Sequence, residues 1–191
     1  YVEKFVNKIS PKAIRVFFVP MVCFAVVFPL TLMFLGPAGL FLGQGLTTIM
    51  LAIYKYVGWL GVGVVAAVLP LLISLGAHKA FIPYAVSSYS ELGYEILYLG
   101  ASLAHNISEG GASLAVAFKT KNHDLKSAAI SGGVSAIFGI TEPAIYSVTL
   151  QHKKVLYSVM LGSFLSGSFL GFMAVKAFVI MGPGLAGMAM Y

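Results

Sequence analysis

Apolar residues fill most of this chain in long runs, interrupted at a few places by charge, glycine or proline. A bilayer core about 30 Å thick needs roughly 20 apolar residues to be crossed by a helix, so the length of each run sorts the candidate elements. Residues 1–15 are too short and too charged to cross. Val2, Phe5, Val6 and Ile9 recur at helical spacing, while Lys4, Lys8, Lys12 and Arg15 follow one another at three or four residues. That pattern predicts an amphipathic helix lying on the membrane surface, cations toward the headgroups. Ser10 and Pro11 read as the N-cap and first position of a second helix that enters the bilayer. No charge occurs from Val16 to Tyr54, and the turn Gly36-Pro37-Ala38-Gly39 divides this run into spans near 16–35 and 40–54. Lys55 punctuates, and Tyr56 to Ala77 makes a third span. Residues 79–95, where Lys79, Glu91 and Glu95 surround a short apolar patch, read as a partly buried loop. Ile96 to Phe118 is apolar but carries His105, Asn106 and Glu109. Val155 to Val175 is a further span, and Ala177 to Tyr191 opens another segment.

The stretch 119–154 has lysines on both flanks, Lys119, Lys121 and Lys126 before it and Lys153 and Lys154 after it. Positive residues near span ends mark the cytoplasmic side, so the apolar segment Ser127–Leu150 is expected to leave and return on one face. That describes a re-entrant hairpin with its tip near Gly139-Ile140-Thr141-Glu142-Pro143. Ser127 to Phe138 is short for a crossing, and Pro143 interrupts helical hydrogen bonding. Broken backbone at membrane depth is tolerated where protein or a water-filled cavity surrounds it. A plain kinked span is the competing arrangement.

Composition removes the soluble alternatives. Of 191 residues, 59% are hydrophobic and 9% charged, against about 25% charged in soluble domains, and the mean hydropathy is +0.94. Too few polar residues exist to clothe a soluble surface. The fold expected is an all-α integral membrane protein, a multi-span helical bundle. Twelve basic and six acidic residues give a net charge of +6, but these charges sit between apolar runs, which argues against a nucleic-acid partner. The single cysteine, Cys23, lies inside an apolar run, so neither a disulfide framework nor a Cys/His metal site is expected, and no cofactor. The chain opens with Tyr1 and stops at Tyr191 in an apolar, glycine-rich stretch. It reads as a piece of a longer polypeptide.

Ionisable groups inside a membrane are expensive and by default mark a pathway or a site. Glu142 is the sharpest case, set at the hairpin tip where half-helix ends leave backbone groups free. A carboxylate there can accept two hydroxyl hydrogen bonds from a polyol; the bland alternative is a helix cap or a partner for a buried lysine. His78 ends the third span, and a neutral imidazole both donates and accepts, which suits a sugar hydroxyl, while a lone histidine at a helix end is more often a structural cap. Lys79 beside it is expected to snorkel to the interface. His105, Asn106 and Glu109 fall at i, i+1 and i+4, so His105 and Glu109 share a helical face; they can bind substrate or satisfy one another. They lack further ligands at metal-like spacing. His123 and His152 lie in basic loops and are expected to be solvated. Phe81, Tyr84 and Tyr146 neighbour His78 and Glu142 in sequence and can stack on a sugar ring or line the bundle. No Walker-type phosphate loop and no nucleophile–base–orienter set is present.

Gly139-Ile140-Thr141-Glu142-Pro143-Ala144-Ile145-Tyr146 resembles the signature of the enzyme IIC membrane component of bacterial phosphoenolpyruvate-dependent sugar phosphotransferase systems, in the glucose superfamily. Leu75-Gly76-Ala77-His78, Asn106-Ile107-Ser108-Glu109-Gly110-Gly111-Ala112 and the lysines at 153 and 154 resemble its β-glucoside-type branch, and the amphipathic opening and Leu35-Gly36-Pro37 are similar too. The resemblance implies a sugar permease in which Glu142 contacts the sugar hydroxyls and His78 is a second sugar contact. Thr141, Asn106 and Glu109 join them as expected substrate-binding residues, and Glu142 is the expected catalytic one. Many relatives carry a second histidine or a tryptophan where this chain has Lys79, a departure that disfavours the sucrose and trehalose branches. The implied mechanism moves the sugar across the membrane and phosphorylates it from a phosphocysteine on a IIB domain, itself served by IIA. Cys23, embedded in a span, is not that cysteine. A homodimer surrounded by membrane lipid is implied as well. The expected layout is an interfacial helix at 1–15, transmembrane helices at 16–77, binding loops and hairpins at 78–154, and a transmembrane helix plus the start of a further segment at 155–191. The competing readings are an ion-coupled secondary transporter, with Glu142 or Glu109 carrying protons, and a non-transporting scaffold or sensor.

Overall fold

A computed structural model describes residues 2–11, 15–35, 37, 41, 45, 48–49, 52 and 54–191. The expected turn at 36–39 and span at 40–54 fall mostly outside these residues, as does the helix start at 12–14. The chain divides into two compact units, 1–45 and 46–191.

In the first unit, α1 (Val2–Ile9) buries Val6 and exposes Lys4, Phe5 and Lys8. Its end is closed by the Ser10 amide, which donates to the Val6 carbonyl at 2.9 Å, and the Arg15 guanidinium donates to the Ser10 carbonyl at 2.9 Å. Helix α2 (Arg15–Leu30) contains Pro20 and Pro29 and runs on as a π-helical turn, Thr31–Leu35. Proline removes an amide donor and crowds the preceding turn, and the widened ladder lies just ahead of Pro37. The stretch Phe17–Phe34 is long and apolar enough to cross a membrane, in agreement with the span read at 16–35. Phe24 and Phe28 stack at 5.0 Å along its outer face, and Cys23 is partly exposed there rather than enclosed.

The second unit is built on three long helices: α3 (Leu60–Ser74), α5 (Tyr98–Lys119) and α8 (Lys153–Phe172). Helices α3 and α8 approach closely because small residues face each other. A Cβ on Gly167 would lie 2.8 Å from the Ala66 Cβ and 3.0 Å from the Gly63 Cα. Such small-residue contacts let helices pack where lipid offers no hydrophobic drive. The core common to α3 and α5 contains Val62, Ala66, Leu69, Leu97 and Ala101. Helix α6 (His123–Ile137) is capped by the Asn122 side chain, which accepts from the Asp124 and Leu125 amides. A turn follows, then the short α7 (Glu142–Ala144) and a π-helical turn, Ile145–Thr149. The chain after the turn packs back along α6, since a Cβ on Gly132 would meet Ala144 at 2.8 Å. Ala117, Ala129 and Val148 are buried together, with Val116, Leu125 and Val155 against them.

One segment differs from the sequence reading. Residues 79–95 are mostly helical, not a loop: a 3-10 turn Ala77–Phe81 leads into α4 (Ile82–Leu92). Phe81, Ala85 and Ser88 are buried at i, i+4 and i+7, a helical face too sparse to stand out among polar neighbours. Residues after α8 form no long helix. Ala177 pairs antiparallel with Glu95, the only bridge among the described residues, and the chain closes in a 3-10 turn, Leu185–Met190.

Candidate functional site

All five sugar-contact positions read from the sequence lie in the second unit. His78 is placed by the way α3 stops. Gly76 takes φ +70 and its amide donates to the Ile73 carbonyl at 2.9 Å. A Cβ there would meet nothing within 4 Å, so glycine is needed for the left-handed backbone and not for space. The chain then enters the 3-10 turn with His78 half-buried. Its Nδ1 is buried with no partner among the described residues. Burial first, and the neighbouring Lys79 ammonium second, hold the imidazole below its ordinary range against a smaller upward pull from the Glu142 carboxylate. At neutral pH the ring is uncharged and free to bond in both directions.

Glu142 is placed by the turn after α6, whose bonds form a Schellman motif. The Ile140 amide donates to the Ser135 carbonyl at 3.0 Å and the Gly139 amide to the Ala136 carbonyl at 2.9 Å. Gly139 sits at the left-handed position, φ +104, and the Ser135 hydroxyl donates to the Ile140 carbonyl at 2.9 Å. Helix α7 restarts at once: Thr141 is buried, and its carbonyl accepts the Ile145 amide at 2.9 Å. Glu142 is half-buried in the first turn, with Pro143 at a position that needs no amide donor. The Tyr146 hydroxyl then donates to the Ser74 carbonyl at 3.1 Å. This long-range bond ties the 141–146 segment to the end of α3, and so brings Glu142 within electrostatic reach of His78.

The α5 residues are divided among different partners. The Glu109 Oε1 accepts the Thr149 hydroxyl, while its Oε2 is buried without a partner among the described residues. His105 is fully buried and both its ring nitrogens lack partners in the same sense. His105 and Glu109 therefore do not satisfy one another. The Asn106 side-chain amide donates to the Pro183 carbonyl. Of the aromatic residues, Phe81 is a core residue stacked on Tyr98 at 5.0 Å, Tyr84 is half-buried against that core, and Tyr146 serves as the tie. Lys79, His123 and His152 are exposed. Among the described residues no group of three or more His, Cys, Asp or Glu could hold a metal ion.

Two groups escaped the sequence reading. Glu95 is buried, and its carboxylate accepts the amides of Leu97, Tyr98 and Leu99 at 2.7, 2.8 and 2.7 Å. An acid just ahead of a long apolar run was the available signal. Pro183 meets Asn106 across 77 residues, a contact with no local signal at all.

The family described as "Phosphotransferase system, EIIC" matches residues 1–167. The chain is 34% identical over 186 residues to the PTS system arbutin-, cellobiose-, and salicin-specific EIIBC component of Escherichia coli (strain K12), covering 97% of this chain and 38% of that protein. It is 31% identical over 182 residues to the PTS system beta-glucoside-specific EIIBCA component of Bacillus subtilis (strain 168), covering 95% and 30%. A sucrose-specific EIIBC component of the same organism is 31% identical over 176 residues, covering 92% and 38%. The chain thus spans well under half the length of these relatives. No solved structure matches it significantly.

Proposed function

Because this chain belongs to the EIIC family of the phosphotransferase system, we propose that it is the sugar-translocating part of a β-glucoside permease, with Glu142 and His78 as its principal sugar contacts. The observation that carries this reading is the Tyr146–Ser74 bond, which joins the Glu142 segment to the helix end bearing His78. A carboxylate that accepts two hydroxyls lies within electrostatic reach of an uncharged imidazole that donates to one and accepts from another. Together they select a polyol and fix its orientation. Thr141, Asn106 and Glu109 complete the binding set, and arbutin, salicin and cellobiose, named for the Escherichia coli relative, are the substrates of choice.

The chemistry follows from positioning. A phosphocysteine on a IIB domain, recharged by IIA, presents its phosphoryl group to the sugar's terminal hydroxyl; the sulfur–phosphorus bond breaks as the oxygen–phosphorus bond forms. In-line placement supplies most of the rate in such transfers. Glu142, bonded to the sugar near that hydroxyl, holds the line and accepts its proton. Relatives that carry a B part, or B and A parts, in the same chain support these partners.

The membrane arrangement is multi-pass in the inner membrane, as a homodimer bathed in lipid. Residues 1–15 lie on the surface, 16–77 cross, 78–154 form the binding loops and a re-entrant hairpin, and 155–191 cross and open a further segment. Exposed Lys4 and Lys8 on α1, and the packing of Gly132 against Ala144, support the surface helix and the hairpin.

The test uses membranes containing the full-length parent, wild type and Glu142→Gln, supplied with salicin, cellobiose, sucrose and glucose. Phosphoenolpyruvate-dependent formation of phosphosalicin, abolished by the substitution, is the expected result. Retained phosphorylation with weakened affinity alone would remove the proton-accepting role. Uptake of unmodified sugar, indifferent to phosphoenolpyruvate and collapsed by an uncoupler, would point to an ion-coupled carrier instead.

A further inference from the structure

The Pro183–Gly184 step presses on the turn that aims Glu142. A Cβ on Gly139 would lie 3.1 Å from the Pro183 carbonyl oxygen. From the other side the approach is tighter: a Cβ on Gly184 would sit 2.6 Å from the Gly139 amide nitrogen and 2.8 Å from the Phe138 carbonyl oxygen. Backbone meets backbone here with no side chain between. The same Pro183 carbonyl accepts the Asn106 amide of α5, so one peptide unit touches both the turn and a binding residue. The step is itself anchored. The Gly187 amide donates to the Gly184 carbonyl at 2.9 Å, the Phe178 amide to the Met190 carbonyl at 2.8 Å, and the Tyr191 hydroxyl to the Leu99 carbonyl at 2.8 Å. These residues fall beyond the range 1–167 that the family matches.

We propose that the Pro183–Gly184 step is a positioning element of the sugar site, fixing the direction of Thr141 and Glu142 through the Phe138–Gly139 turn and orienting Asn106 through its carbonyl. This rests on the reading of Glu142 as a sugar contact. Backbone atoms have no rotamer by which to yield, so a methyl group at 184 has to move the turn. A carboxylate turned away from its hydroxyl forfeits a charge-assisted hydrogen bond. The ligand class that senses the change is a glycoside whose hydroxyls reach Glu142.

The experiment measures equilibrium binding of radiolabelled salicin to membranes of the full-length parent carrying Gly184→Ala, Gly182→Ala, Glu142→Gln or Gly184→Ala with Glu142→Gln. A Cβ on Gly182 meets nothing within 4 Å, so that variant controls for the loss of a neighbouring glycine. Gly184→Ala is expected to weaken binding by about 10–10²-fold, the worth of a hydrogen bond to a charged group, and Gly182→Ala to leave it unchanged. In the double variant the Gly184→Ala effect should shrink to the part carried by Thr141 and Asn106, because no carboxylate remains to be aimed; a merely structural lesion would persist there in full. Full binding by Gly184→Ala, beside a loss in Glu142→Gln, overturns the positioning role alone. Unchanged binding by Glu142→Gln overturns the sugar-contact reading and this one with it. If Gly184→Ala does not accumulate, hydrogen exchange on the wild-type parent decides: salicin should slow exchange at 139–142 and 184–187 together, and slowing at 139–142 alone would reject the proposal.

Discussion

A neutral imidazole at position 78 can donate to one hydroxyl and accept from another, and its surroundings keep it neutral. Burial and the Lys79 ammonium lower its pKa in the folded protein. The unfolded chain therefore takes up the proton first as pH falls, and folding stability is lost below the ordinary histidine value of about 6.5 until the folded ring also titrates. Removing the nearby cation should reverse part of this. With Lys79→Met the His78 pKa rises toward its ordinary value, so the acid limb of salicin binding moves to higher pH; a pH series of binding checks it, and an unmoved limb would uncouple the two side chains. The shift should shrink at high salt because Lys79 is exposed. Gly76→Ala tests the placement rather than the charge. Its Cβ has room, so the cost is the left-handed backbone alone, about 1–2 kcal/mol, read as a lowered Tm with weaker salicin binding. At this scale the sequence was most legible where chemistry was out of place: Glu142 and His78 stood out against an apolar background. Glu109 stood out equally, yet its Thr149 partner lies 40 residues away, and no local pattern could supply it.

Helix α5 begins where Glu95 ends its reach, and the carboxylate substitutes for three absent intrahelical acceptors. The same residue pairs through its backbone with Ala177, its amide donating to the Ala177 carbonyl at 2.9 Å and its carbonyl accepting at 2.8 Å. One residue thus fixes both the start of the helix that carries Asn106 and the return of the segment that carries Pro183. Glu95→Ala leaves the α5 amides buried without an acceptor, an expected loss of about 2–3 kcal/mol. Thermal unfolding of the parent protein should show it, and Glu95→Gln, which keeps one acceptor oxygen, should lie between; equal stability of all three would deny the capping role. Long apolar elements were readable from run length, as with the span at 16–35 and the helix over 96–118. Helix α4 was not, because it buries few side chains among polar neighbours, and its amphipathic face is weaker than its charge pattern. The turn at 139–143 was readable for the opposite reason, since glycine and proline punctuate it so strongly.

The two lysine-flanked loops bear on the whole molecule. Val116 and Ala117 at the end of α5, Leu125 and Ala129 in α6, and Val148 and Val155 after the turn belong to one buried cluster. Groups in contact cannot sit on opposite sides of a hydrocarbon core about 30 Å thick. The cluster supports the hairpin proposed above, in which the chain between 119 and 153 leaves one membrane face and comes back to it. The expected face is the cytoplasmic one: Lys119, Lys121, Lys126, Lys153 and Lys154 stand against Asp124 alone at this end, and positive residues near span ends mark that side. Single cysteines introduced at 121 and 153 in the parent protein should both react with an impermeant maleimide in inside-out vesicles and neither in right-side-out ones. Labelling of the two positions from opposite faces would break the proposed hairpin, and with it the proposed placement of Glu142 against a sugar.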